Sequence, residues 1–122
     1  MSPRSSEFLQ AARRRLAAAA VAVEEDPSTA LSAAYYAMLY GARAALSEQD
    51  SSAKTHKGTW HEFRSAFVEG GRIDRELAAQ VQKIQPEREQ ADYDAWSAPA
   101  EEAQRAIQLA DRFLTAVEAL FD

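Results

Sequence analysis

The chain has 122 residues, the size of one domain, and its 27 alanines against 4 glycines and 4 prolines favour helix and supply too little turn punctuation for an all-β sandwich. Its 14 Lys and Arg against 19 Asp and Glu leave a formal net charge of −5, which argues against a surface wholly given over to nucleic acid. The absence of cysteine excludes a disulfide framework, a thiolate zinc site and a cysteine nucleophile, and fits a reducing cytoplasm.

Five helices are expected in one domain covering residues 1–122. The first runs from about Ser6 to Glu24, with Phe8, Ala12, Leu16, Ala19, Ala20 and Val23 forming one stripe at three- and four-residue spacing. Arg13, Arg14 and Arg15 interrupt it, so no apolar run approaches the ~18 residues of a membrane span, and no signal peptide is visible. Asp26 and Pro27 open the second helix, because Asp caps a backbone N–H and Pro at the first position sacrifices no donor. That helix should reach about Glu48 and bury Leu31, Ala34, Tyr35, Met38, Leu39, Ala42, Ala45 and Leu46, with Tyr36, Tyr40 and Arg43 flanking. Gln49 to Thr55 reads as a loop.

A short third helix is expected from Thr59, whose spacing to Glu62 is that of a capping box, through Phe63, Ala66 and Phe67 to a stop at Gly70 and Gly71. Asp74 caps a fourth helix carrying Leu77, Ala78, Val81 and Ile84, which Pro86 should kink or restart before Glu87 to Tyr93. Ser97 and Pro99 open the fifth, where Ala103, Ala106, Ile107, Ala110, Phe113, Leu114, Val117, Leu120 and Phe121 keep the helical rhythm. Short connections make the long helices antiparallel, giving an all-α up-and-down four-helix bundle with an additional short helix.

Little conventional chemistry is available. The two histidines, His56 and His61, are five apart and do not share a helix face, so neither a metal nor another cofactor is expected, and the glycines form no phosphate loop. Three constellations remain. Arg88 and Asp92 share a helix face beside Tyr93, either as an i, i+4 ion pair or as an arginine positioned for phosphate. Lys54-Thr55-His56-Lys57-Gly58 offers two ammonium groups and an imidazole near a helix N-terminus, either as a solvated loop or as an anion site. Tyr35, Tyr36, Tyr40 and Arg43 form an aromatic stripe that reads as core or as a nucleotide platform, in which a half-buried Arg43 would need an acceptor. The stretch from Lys54 to Arg75 carries five basic residues against three acidic ones, so an acidic chain keeps one basic region.

The second-helix string Ser32-Ala-Ala-Tyr-Tyr-Ala-Met-Leu-Tyr-Gly-Ala-Arg-Ala-Ala-Leu46, the Thr55-His-Lys-Gly58 turn, the Phe67-Val-Glu-Gly-Gly71 helix end and the Arg88-Glu-Gln-Ala-Asp-Tyr93 segment resemble the HEPN domain family, in its short single-domain bacterial and archaeal branch. The resemblance implies a homodimeric helical bundle in the cytoplasm, often beside a minimal nucleotidyltransferase in a toxin–antitoxin pair. In many members an Arg, four to six residues and a His form a metal-independent ribonuclease site across the dimer cleft. The arginine of that motif matches Arg88, but Tyr93 stands five residues later and no histidine follows His61. An unperturbed phenol, with a pKa near ~10, is a poor general base at pH 7. A tyrosine near the motif is adenylylated in related members, and Tyr93 sits two residues too early to match it.

The expected function is binding of RNA or a nucleotide, with no DNA and no membrane involved, in a cleft lined by Arg88, Asp92 and Tyr93 with His56, Lys57, Arg43 and Tyr36 as further ligand contacts. Two alternatives stand beside it: a ribonuclease whose base is His56 or His61, and a non-catalytic dimeric interaction module.

Overall fold

A computed structural model describes residues 1–49, 51, 53–93 and 97–121, with the backbone alone for residues 91–93. Five α-helices follow in order: α1 Pro3–Ala22, α2 Pro27–Ser47, α3 His56–Phe63, α4 Arg75–Tyr93 and α5 Ala100–Ala119. The described residues contain no strand. The architecture is the expected all-α antiparallel bundle of four long helices with short α3 beside it. No helix among the described residues is long and apolar enough to cross a membrane.

The central element is α2, which packs against α1, α5, α3 and α4. Every residue of its expected inward face is buried, with Leu31, Ala34, Tyr35, Met38, Leu39 and Ala42 fully so. Asp26 accepts from the Thr29 backbone N–H (3.3 Å) with Pro27 at the first helical position, as the local pairing requires. Across the core, Phe113 and Leu114 of α5 meet α2 at Gly41, where a Cβ would lie 2.6 Å from Leu114 Cδ2. The glycine therefore admits the larger side chains of the opposite helix.

Two helix starts differ from expectation. The first helix begins at Pro3, because the Ser2 side chain caps it by accepting from the Ser5 N–H (3.1 Å), and Ser5 Oγ donates to the Ala44 carbonyl (2.9 Å). Its buried stripe is Ser5, Leu9, Ala12, Leu16 and Ala19. Phe8 turns to the flank and packs on Tyr40, and Ala20 is exposed.

The third helix starts one turn earlier than the Thr59–Glu62 box suggested. Thr55 is its cap, accepting from Gly58 N–H at 2.8 Å, and Thr59 Oγ1 instead donates back to the Thr55 carbonyl at 2.8 Å. Glu62 accepts from the Ser51 hydroxyl. After Phe63 a π-helical turn, Arg64–Val68, widens the spiral before Gly71, at φ 81°, ends it. Asp74 caps α4 as expected, accepting from Leu77 N–H (3.0 Å), and the helix continues through Pro86 to Tyr93 with no restart.

Candidate functional site

Three separate stretches of sequence converge where α2, α3 and α4 meet. Tyr35 and Tyr36 come from α2, His56 from the first turn of α3, Trp60 from its next turn and Arg88 from α4. The placement of His56 depends on the Thr55 cap. A Cβ on residue 58 would stand 2.8 Å from Thr55 Oγ1, so Gly58 leaves that cap its room.

Tyr35 is fully buried at the centre of this cluster, and its hydroxyl joins two groups: Trp60 Nε1–H donates to it (3.2 Å), and His56 Nδ1 lies 3.2 Å away. Burial pushes the Tyr35 phenol up, so it keeps its proton at neutral pH. Indole can only donate, and the phenol has one hydrogen to give. The assignment that satisfies all three groups has Tyr35 O–H donating to Nδ1, which puts the imidazole proton on Nε2. Burial also lowers the pKa of His56, and the positive charges of Arg43 and Arg88 add to that while Glu89 opposes it. The ring is thus a neutral donor at pH 7.

The guanidinium of Arg88 lies over the same tyrosines, its Cζ 5.1 Å from the centroid of Tyr35 and 5.5 Å from that of Tyr36. The His56 ring is 5.7 Å from each of them, edge-on to Tyr36. Only 14% of the Arg88 side chain is exposed, and a Glu89 oxygen approaches one terminal nitrogen at 3.9 Å. The two rings stand at 75° to each other, so the guanidinium sits in the corner they form, a cation held against two π faces.

Of the residues singled out in the sequence, Arg88, His56 and Tyr36 are together, and Arg43 is near enough for its charge to act on His56. Arg43 is half-buried, and its Nε has no hydrogen-bond acceptor among the described residues. Lys57 is exposed and lines a cavity of about 430 Å³ that borders the cluster, with Trp60 and Glu89 also on its wall beside His61 and Arg64. The side chains of Asp92 and Tyr93 lie outside the described residues, so their pairing with Arg88 is not defined. Sequence reasoning placed Tyr35 on the inward face of its helix and in the aromatic stripe, and passed over Trp60. The indole's spacing four residues after His56 on one helix was the signal that could have found it. Among the described residues, no group of three or more His, Asp or Glu side chains could hold a metal ion.

A family model of the HEPN domain matches residues 5–120, nearly the whole chain, and the chain belongs to that family. No curated protein matches it. The family assignment supports an RNA-related, nuclease-like module in general terms.

Proposed function

We propose that the chain is an RNA-binding HEPN module that grips a single-stranded segment or nucleotide through Arg88, His56 and the tyrosines of α2. In this reading it acts as a homodimer whose two copies of Arg88 face a shared cleft that Asp92 and Tyr93 help to line. It serves as the HEPN half of a toxin–antitoxin pair with a minimal nucleotidyltransferase in the cytoplasm. The observation that supports it best is the placement of the Arg88 guanidinium over Tyr35 and Tyr36 beside a neutral imidazole. The arginine supplies charge and a planar donor edge, the Nε2–H of His56 a further donor, and the half-exposed Tyr36 a face on which a base can stack.

Replacing Arg88 by Ala should weaken RNA binding by about 10- to 100-fold, the loss of one or two charge-assisted hydrogen bonds. Because the guanidinium also packs on two rings, the same change costs about 1–2 kcal/mol of stability. Arg88→Lys separates the roles by keeping the charge and losing the planar fork. Unaltered binding in the folded Ala variant would assign Arg88 to structure alone.

The proximity of His56 to Arg88 favours one second reading, a metal-independent ribonuclease with His56 as its base. This requires the other tautomer, in which Nδ1–H donates to the Tyr35 oxygen and Nε2 carries the lone pair. Cleavage of RNA in EDTA that disappears in His56→Ala would establish it. No cleavage, or cleavage indifferent to His56, would reject it.

A further inference from the structure

A second basic feature lies further along α2. A cavity of about 280 Å³ opens between the start of α1, the end of α2 and the segment leading into α3, and Arg4, Arg43 and Lys54 line it with Phe8. Among the described residues, none that lines it carries a carboxylate and none of the three cations has an ion pair. The hydroxyls on its wall are already committed: Ser47 Oγ donates to the Arg43 carbonyl, Thr59 Oγ1 to the Thr55 carbonyl and Ser51 Oγ to Glu62. What the cavity still offers is positive charge. Three like charges around one small space repel one another, and an anion with several acceptor oxygens relieves that repulsion.

The cavity is connected to the Arg88 cluster by aromatic rings. Tyr36, Tyr40, Arg43 and Ser47 occupy one face of α2 at three- and four-residue spacing. The rings of Tyr36 and Tyr40 are 6.5 Å apart, and Tyr40 lies 6.0 Å from Phe8, which lines the cavity. From Tyr36 to Arg43 the helix rises about 10 Å, close to the rise of about three stacked nucleotides. A row of rings ending in a cationic cavity is the arrangement that single strands need, bases on aromatic faces and backbone on positive charge.

We infer that the cavity of Arg4, Arg43 and Lys54 holds a backbone phosphate of single-stranded RNA whose neighbouring nucleotides run along Phe8, Tyr40 and Tyr36 to Arg88. This rests on the RNA-binding reading and extends it to a second contact point that fixes the path of the strand.

The test is fluorescence anisotropy of a short fluorescein-labelled oligouridylate across a salt series, with the unaltered chain, Arg4→Gln, Lys54→Gln and Arg88→Ala. Arg4 and Lys54 are exposed, so their replacement leaves the fold intact, which a thermal melt verifies. Each pocket variant should bind about fivefold more weakly. The slope of log Kd against log salt should become shallower by up to about 0.7, the value for one phosphate on a single strand. Affinity and slope unchanged in both pocket variants, with Arg88→Ala still weakened, would overturn the cavity's role while the cluster reading survives. If the unaltered chain binds no oligouridylate, both readings fall together. Inorganic phosphate and AMP form the second arm. Displacement of the oligonucleotide by AMP at equal concentration, weakened by the same pocket variants, would make the cavity a mononucleotide site and contradict the strand path.

Discussion

His56 illustrates how one side chain records its surroundings. Its pKa is lowered chiefly by burial, with Arg43 and Arg88 adding and Glu89 opposing. The folded chain therefore binds fewer protons at this site than the unfolded chain does, and stability rises with pH in that window. As pH falls from above ~6.5, the unperturbed value, towards the lower folded pKa, this contribution is lost. Melting temperatures measured through that range should fall, and His56→Gln, which cannot titrate, should flatten that part of the curve. An identical pH dependence in the variant would place the titration elsewhere. Bound phosphate would act in the opposite direction by favouring the imidazolium.

Gly41 does at the level of the element what His56 does at the level of the residue. It stands in the middle of α2 despite the ~1 kcal/mol that glycine costs a helix interior relative to alanine. The room it leaves is taken by Leu114 and Phe113 of α5. A β-branched side chain there would have to displace a fully buried leucine, so Gly41→Val should cost about 2 kcal/mol of unfolding free energy, read from a urea titration. No loss would mean that the α2–α5 seam is looser than it looks.

Helices were legible in the sequence in proportion to how asymmetric their side chains are. The α2 face mixes Leu, Met and Tyr with small residues, so its orientation followed from spacing alone. The first helix is alanine-rich on several faces, which left its rotation underdetermined and let Phe8 stand in for Leu9. Two threonines four apart, Thr55 and Thr59, both suit a cap, and the choice was made by Gly58, whose missing Cβ clears Thr55 Oγ1.

The candidate site was legible as parts and not as a whole. Arg88, His56, Tyr36 and Arg43 each carried a chemical reason to be noticed, but they lie on three helices, and only the packing of α3 and α4 against α2 brings them together. Tyr35 was read correctly as buried, yet nothing in its spacing revealed that its hydroxyl would join Trp60 to His56.

For the molecule as a whole, a net charge of −5 coexists with cations at both ends of a row of rings, Arg88 at one end and Arg4, Arg43 and Lys54 at the other. In the proposed reading, such segregation reserves one face for a polyanion while the acidic remainder of the surface repels it. The central claim is that RNA binds on this face, and the indole of Trp60 is well placed to report it, since its N–H donates to the hydroxyl that also faces His56. The most direct measurement is an NMR titration of the nitrogen-15-labelled chain with a short oligouridylate. The account predicts saturable shifts of the Trp60 indole and Arg88 guanidinium signals, lost at the indole in Arg88→Ala. Shifts confined to the outer faces of α1 and α5, or none at all, would contradict it.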